Sequence, residues 1–116
     1  MRVDRPWGYF VVLYEEESTW LKRLVINAGQ SLSLQYHHNR DEYWRAEQSG
    51  LTAAIGSGYE QVLIPGVVHE VYAGVPHRIT NTTAGPRSVL EWAVGQPDES
   101  DIVRLDDDYG RTEKIK

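Results

Sequence analysis

Short runs of alternating apolar and polar residues, each closed by a turn, recur along the whole of this chain. No stretch of helical length carries a sustained apolar repeat of 3.6 residues. Glycine, proline and asparagine separate the runs, as in Asn27-Ala28-Gly29, Pro65-Gly66 and Ala73-Gly74, and these residues favour tight turns. The chain is therefore predicted to be all-β, with antiparallel strands.

The pattern predicts nine short strands, at residues 8–13, 19–26, 31–37, 42–46, 51–55, 59–64, 69–72, 77–80 and 87–94. So many strands in a chain of 116 residues have to close into a sandwich or a barrel. A chain of this length forms one core, so we expect a single domain over residues 1–116. Its last part, residues 98–116, is polar and acidic and is expected to be an irregular tail.

Acidic residues outnumber basic ones, 17 to 12. The negative field disfavours a nucleic-acid backbone or an anionic membrane surface, so neither is expected as a partner. No run of about eighteen apolar residues, the length of a membrane span, is present. The chain has no cysteine, which excludes disulfides and thiolate metal sites and suits the cytoplasm.

Four polar side chains are predicted to converge. In the alternating segment 31–37, Gln35 and His37 share one face of the strand. A turn then leads to Glu42, which can fold back toward them, and His77 begins a later strand after another turn. An amide oxygen, two imidazoles and a carboxylate suit zinc, iron(II), manganese, cobalt or nickel. We expect a divalent metal, with zinc as the first choice.

The order and spacing of these residues resemble the two cupin motifs. The first motif corresponds here to Gly29, Gln35, His37, Glu42 and Gly50, with Gln35 in the place of a histidine and Gly50 one residue late. The second corresponds to Gly66, Gly74, His77 and Asn81, with Tyr72 where a proline is usual. A similar run that ends at His69 lacks the asparagine. The two motifs together imply the cupin fold, a double-stranded β-helix or jelly-roll barrel.

A narrower resemblance covers nearly the whole chain. It is carried by Arg5-Pro6-Trp7-Gly8-Tyr9, Lys22-Arg23-Leu24, the block from Gly29 to His38, Arg40, Glu42, Trp44, Pro76-His77-Arg78, Asn81 and the block from Asp101 to Arg111. These residues look like the cupin part of the type II phosphomannose isomerases, which usually follows a mannose-1-phosphate guanylyltransferase domain. The resemblance implies interconversion of mannose 6-phosphate and fructose 6-phosphate, with the metal held by Gln35, His37, Glu42 and His77.

Isomerisation of an aldose to a ketose passes through an enediol whose oxygen becomes negative, and a metal can stabilise that oxygen. Lys22, which shares a strand face with the apolar Leu24 and Ile26, is expected to contact the phosphorylated sugar. So are Arg78, which directly follows His77, and Arg40. Trp44 shares the strand face of Glu42 and is expected to touch the substrate as well. For the proton transfer, Lys22, Tyr43 and a metal-bound hydroxide stay open as alternatives.

Two other functions compete with the isomerase. A non-catalytic, regulatory cupin that binds metal or sugar is favoured by Asn39, Tyr43 and Ala93, which depart from the family pattern. An iron-dependent dioxygenase also uses two histidines and a carboxylate, but Gln35 and the sugar-enzyme blocks argue against it. We also expect a homodimer, formed by pairing or exchange of a terminal strand such as 8–13, because cupin barrels expose sheet edges.

Overall fold

The structure, a computed structural model, describes residues 1–56 and 60–112. Within these residues it contains eleven strands: β1 (Arg2–Arg5), β2 (Gly8–Glu16), β3 (Thr19–Ile26), β4 (Leu34–Tyr36), β5 (Arg40–Ala46), β6 (Leu51–Ile55), β7 (Glu60–Val62), β8 (Val68–Val71), β9 (His77–Asn81), β10 (Arg87–Gly95) and β11 (Val103–Asp106). In the described part of the chain no helix is long and apolar enough to cross a membrane. The all-β prediction is confirmed.

The strands form two antiparallel sheets. One has six strands in the order β1-β2-β3-β10-β5-β8, and the other has five in the order β11-β4-β9-β6-β7. Along the longer strands, alternate side chains point into the space between the sheets. The buried apolar core there includes Ile26, Trp44, Leu51, Leu63, Ile79 and Val89. This arrangement confirms the predicted jelly-roll architecture.

Two strands were missed by the sequence analysis. β1 pairs with β2, and β11 pairs with β4 through a bulge between Arg104 and Asp106. The prediction of a wholly irregular tail after residue 97 is therefore wrong for Val103–Asp106. The polar composition of that segment hid a strand that is held by backbone pairing rather than by an apolar face. The predicted strand 59–64 begins outside the described residues, and of its described part only Glu60–Val62 is a strand.

The segment between β10 and β11 is fixed against the loop that follows β4. The carboxylate of Asp101 accepts hydrogen bonds from the backbone N–H groups of His38 and Asn39. The guanidinium of Arg40 donates to the carbonyl of Asp98 at 2.8 Å. These contacts bring the C-terminal part of the chain over one end of the space between the sheets.

Gly95, the last residue of β10, allows this strand to lie close to the backbone of Asn39 and Arg40. Its φ is +120°, and a Cβ atom there would lie 2.7 Å from the carbonyl oxygen of Asn39. Only glycine tolerates both the conformation and the approach. β10 can therefore pair with β5 as far as Gly95 opposite Arg40, which fixes the backbone of Arg40.

Asn81, at the end of β9, has a structural role. Its amide nitrogen donates to the carbonyl oxygens of Ile26 and Gly85, both at 2.9 Å, and its amide oxygen accepts from the N–H and the hydroxyl of Thr83. The side chain is fully buried, so these bonds satisfy the polar groups of a turn that would otherwise be costly to bury. They tie the end of β9, the strand that begins with His77, to the end of β3.

Candidate metal centre

Three of the predicted ligands lie together between the sheets. His37 follows β4, Glu42 lies on β5 and His77 is the first residue of β9. Nε2 of His37 lies 3.4 Å from Oε2 of Glu42, and Nε2 of His77 lies 3.5 Å from Oε1 of Glu42. Two ligand atoms that are each about 2.1 Å from a tetrahedral ion lie about 3.4 Å apart. The spacing of these atoms fits a metal.

Backbone carbonyls orient both imidazoles. Nδ1 of His37 lies 2.7 Å from the carbonyl oxygen of Asp101, and Nδ1 of His77 lies 2.9 Å from that of Val75. A carbonyl oxygen can only accept, so each Nδ1 carries the proton and each Nε2 is unprotonated, with the lone pair that a metal would bind. This is the usual way in which a protein prepares histidines to bind a metal through Nε2.

Both histidines are neutral at pH 7. Burial, followed by the charges of Arg40 and His77, lowers the pKa of His37 to about 4. Burial also lowers the pKa of His77 to about 4, against the opposing effects of the Val75 carbonyl and the charge of Glu91. Neutral imidazole is the form that binds metal.

Two ligand atoms have no hydrogen-bond partner among the described residues. They are Oε1 of Glu42 and Nε2 of His77, and the side chains that carry them are 1% and 3% exposed. A buried polar atom without a partner costs about 1–3 kcal/mol. A bound cation would satisfy both atoms at once, which supports the fit of the site to a metal.

Gln35 lies beside the cluster, but its amide nitrogen rather than its amide oxygen faces His37. Its Nε2 is 3.3 Å from Nε2 of His37, and its Oε1 accepts a hydrogen bond from Oγ of Ser33 at 2.5 Å. A half-turn of the terminal amide would direct Oε1 toward the cluster and let Nε2 donate to the serine hydroxyl. Gln35 is thus placed to be the fourth ligand after this rotation.

Arg40 lies inside the barrel against the same atoms. Nε of Arg40 donates to Oε2 of Glu42 at 2.8 Å, and its Nη2 lies 3.2 Å from Nε2 of His37. The guanidinium also lies over the ring of Trp20, 4.7 Å from the centroid. Arg40 therefore neutralises the Glu42 carboxylate.

A cavity of about 60 Å³ adjoins the cluster, and Gln35 and Arg40 form part of its wall. Lys22, on the inner face of β3, also lines it, as the strand pattern predicted. The Lys22 ammonium group donates to the carboxylate of Glu99 and lies 3.4 Å from the centroid of the Trp20 ring.

The structure does not bring Tyr43 or Arg78 into this interior. Both are on strands whose neighbouring residues, Glu42 and His77, point inward, and consecutive residues of a strand point to opposite faces. Arg78 instead donates to the carbonyl of Leu32 and to the carboxylate of Asp106.

Trp44 does point inward, but it packs edge-on against His77 at a ring distance of 5.2 Å. It is buried to 1% exposure and is not part of the cavity wall. Its contact is with a candidate ligand rather than with the cavity.

Glu91 was missed by the sequence analysis. It is buried on β10, it lines the cavity, and its Oε2 accepts a hydrogen bond from Nε1 of Trp20 at 3.2 Å. Burial, with the charge of Glu42, raises the pKa of Glu91 to about 7, against the charges of Arg40 and Lys22. A signal was available, because Glu91 lies between Val89 and Ala93 on the apolar face of the predicted strand 87–94.

Comparison with known proteins identifies the family. Residues 1–107 match the family described as mannose-6-phosphate isomerase C-terminal. The chain is 37% identical over 114 residues to the xanthan biosynthesis protein XanB of Xanthomonas campestris pv. campestris, an alignment that covers 96% of this chain and 24% of that protein. It is 32% identical over 117 residues to the mannose-1-phosphate guanylyltransferase ManC of Salmonella typhimurium, which covers 94% of this chain and 23% of that protein. The chain thus spans about a quarter of the length of these curated relatives.

Among solved structures, the capsular polysaccharide assembling protein CapF from Staphylococcus aureus superposes with a TM-score of 0.78. The superposition covers 91% of this chain and 34% of that one, at 14% identity. At this identity the likeness shows the fold alone, which is the cupin double-stranded β-helix. Since the family match extends over residues 1–107, the chain belongs to the mannose-6-phosphate isomerase C-terminal family of cupin domains.

Proposed function

We propose that the chain is a metal-dependent isomerase that interconverts mannose 6-phosphate and fructose 6-phosphate. The observation that carries this proposal is the cluster of His37, Glu42 and His77 next to a cavity whose wall contains a second buried carboxylate, Glu91. A metal-dependent aldose–ketose isomerase uses these two elements, a cation near the sugar oxygens and a group that moves a proton. The family match supports a phosphorylated hexose as the substrate.

His37, Glu42 and His77 would hold the metal, together with Gln35 once its amide has turned. The bound ion would act as a Lewis acid that stabilises the negative oxygen of the enediol. Zinc is our first choice, since two imidazoles, a carboxylate and an amide oxygen form a nitrogen and oxygen donor set that it accepts readily.

Glu91 is the group that we assign to proton transfer. Trp20 binds only its Oε2, and no donor among the described residues binds its Oε1. Its pKa of about 7 means that both the carboxylate and the acid are populated near neutral pH, as a group that takes and returns a proton requires. Lys22 is instead engaged by Glu99, and Tyr43 lies on the outward face of β5.

Arg40 and Trp44 keep roles in the proposal that follow from their contacts. Arg40 lines the cavity and holds Glu42, so it can bind a substrate oxygen while it positions a ligand. Trp44 packs against the ring of His77 and restricts its rotation.

The direct test is a coupled assay of the zinc-reconstituted chain with mannose 6-phosphate and, in the reverse direction, with fructose 6-phosphate. We expect turnover that is lost on chelation and regained with zinc. Glu91→Gln should retain zinc but lose at least about a hundredfold in kcat, the scale of general acid–base catalysis. Glu60→Gln, at an exposed position on β7, is the control for a lost carboxylate. Absence of turnover in the zinc-loaded wild-type chain would overturn the proposal.

A regulatory cupin that binds metal without catalysis is the second candidate. The observation that favours it is the size of the cavity, about 60 Å³, against about 300–1,000 Å³ for typical small-molecule sites. A hexose phosphate requires the cavity to widen. Stoichiometric zinc binding together with no turnover in either direction would support this candidate.

We also propose that the chain forms a homodimer in the cytoplasm. β1 and β8 are the edges of the six-stranded sheet, and a second copy can pair with an exposed edge. β2 pairs with β1 and β3 of its own chain, so exchange of residues 8–13 is not part of this proposal. The cytoplasmic assignment rests on the lack of cysteine. Sedimentation equilibrium tests the dimer, and a mass of one chain at micromolar concentration would exclude it.

A further inference from the structure

We propose that Arg104, Lys22 and Arg5 form an anion subsite for the phosphate group of the substrate, and that the Glu99 carboxylate occupies this subsite until a phosphate displaces it. The inference rests on the proposed function for the identity of the ligand, a phosphorylated sugar. The subsite itself is argued from the charges and contacts around the cavity.

Glu99 lies among these cations although it is distant from two of them in sequence. The ammonium group of Lys22 donates to Oε1 of Glu99, and Nη2 of Arg5 donates to its Oε2 at 3.4 Å. Burial opposes ionisation of Glu99, but the charge and hydrogen bond of Lys22, with the charges of Arg40 and Arg5, hold its pKa below the usual value. A carboxylate anion therefore already lies at the place that we assign to phosphate.

Of the three cations of the proposed subsite, Arg104 makes no ion pair with Glu99, whereas Arg5 and Lys22 do. It lies on β11 opposite Gln35 and lines the cavity. Its Nε is buried and makes no hydrogen bond to any residue in the described ranges. Burial, followed by the charge of Arg111, lowers the pKa of Arg104. A guanidinium donor that is buried without an acceptor indicates that this position is built for an anion.

The charges around the cavity do not balance. Among residues 1–56 and 60–112, its wall contains five cations, Arg5, Lys22, Arg40, Arg104 and Arg111, and two carboxylates, Glu91 and Glu99, in a chain whose net charge is −5. Arg40 binds Glu42 and Arg111 binds Asp107. The other three cations, Arg5, Lys22 and Arg104, have Glu99 and Glu91 as the carboxylates of the cavity wall. This local excess of positive charge favours a ligand with more negative charge than one carboxylate.

Glu99 can leave more easily than the cations can. Its side chain is 50% exposed, against 3% for Lys22, and it lies in the segment between β10 and β11 rather than on a strand. A phosphate offers more negative charge and more acceptor oxygens than the carboxylate. Exchange of the carboxylate for phosphate would also widen the cavity, as a hexose phosphate requires.

The test is calorimetric titration of the full metal-free chain with inorganic phosphate at low salt. Arg104→Gln should weaken phosphate binding about tenfold or more, the value of a lost charge-assisted hydrogen bond. Glu99→Gln should strengthen it about threefold or more, because a competitor that occupies the site lowers the apparent affinity. Arg45→Gln and Glu60→Gln change the same charges at exposed positions and should leave the affinity within about twofold.

Thermal unfolding of each variant, with Arg104→Lys as a milder substitution, separates misfolding from loss of the subsite. An unchanged affinity in folded Arg104→Gln, or a weaker one in Glu99→Gln, would overturn the inference. Phosphate binding with these variant effects but without isomerase turnover would support the subsite and contradict the isomerase. Turnover with a KM for mannose 6-phosphate that is unchanged in Arg104→Gln would support the isomerase and contradict the subsite.

Discussion

Arg40 and Glu42 form a buried ion pair in which Nε of the arginine donates to Oε2 of the carboxylate at 2.8 Å. The two side chains are 5% and 1% exposed. Because the same guanidinium also lies 3.2 Å from Nε2 of His37, a permanent positive charge is adjacent to two of the proposed ligand atoms. In the metal-free protein this charge compensates Glu42.

The first prediction concerns this compensation. Arg40→Met should reduce the free energy of unfolding of the metal-free protein by about 3–5 kcal/mol, because a buried carboxylate is left without its partner. Zinc should recover more stability in the variant than in the wild type, since the ion supplies the missing positive charge. Urea unfolding with chelator and with zinc measures both values. Arg45→Met, at an exposed position of the same strand, is the control, and an equal loss with and without zinc would contradict the prediction.

The second prediction tests the ligand set. His77→Gln keeps a polar side chain of similar size but removes the Nε2 lone pair that points at Glu42. Bound zinc should fall from about one ion per chain to near none, as expected when a nitrogen ligand is lost from a site of four donors. Elemental analysis after dialysis gives the content, and circular dichroism verifies folding. His38→Gln, at an exposed position, should keep its zinc. Full occupancy in His77→Gln would remove this residue from the site.

The third prediction concerns pH. The pKa values of His37 and His77 are lowered to about 4 in the folded protein, whereas histidine in an unfolded chain titrates near 6.5. Between these values the unfolded chain binds more protons, so the histidine contribution to stability is complete above about pH 6.5 and is lost as the pH falls toward 4. Each histidine then accounts for a loss of about 3 kcal/mol.

Glu91 acts in the opposite direction, because its pKa is raised to about 7 and its stabilising effect is lost as the pH rises from about 4.5 to 7. The informative quantity is therefore the difference between the wild type and His77→Gln. Urea unfolding of both metal-free proteins from about pH 4 to 7 should give a smaller acid loss in the variant. The same pH dependence in the two proteins would refute the assigned pKa of His77.

Strand alternation made much of the site predictable. Gln35 and His37 were assigned to one face, and Lys22 to the face of Leu24 and Ile26, and the structure has them so. In a sheet with one buried face, a shift of one residue would turn every side chain over, so the apolar pattern fixes which polar residues point inward. The all-β fold was predicted from the same alternation. Two of the predicted strands, Thr19–Ile26 and Leu51–Ile55, have the bounds that the structure shows.

Proximity in sequence was the less useful guide. Arg78 was selected because it adjoins His77, and Tyr43 was one of the alternatives for the proton transfer, yet alternation places both on the outward faces of their strands. The same rule identifies Glu91, which lies on the apolar face of β10. Consistent use of alternation would have added Glu91 to the inward-facing candidates and left out Arg78 and Tyr43.

The contribution of the C-terminal segment could not be read from any local pattern. Asp101 orients His37 across 64 residues, and Glu99 binds Lys22 across 77. Arg104 reaches the cavity because β11 pairs with β4. These contacts depend on how distant strands pair, and a polar, acidic stretch gives no periodic signal for that pairing.

The last prediction concerns Asn81, which shares a strand with His77 but not its role. Asn81→Ala should reduce the free energy of unfolding by about 3 kcal/mol, because the carbonyls of Ile26 and Gly85 both lose the amide donor, although the Thr83 hydroxyl still donates to Gly85. Asn81→Asp should cost a similar amount, since a carboxylate accepts from Thr83 but cannot donate to either carbonyl. Zinc affinity should stay within about threefold in both, because the amide points into the turn. Urea unfolding and zinc titration measure the two effects, with Asn39→Ala at an exposed position as the control. A stable Asn81→Ala that fails to bind zinc would place Asn81 in the metal site instead.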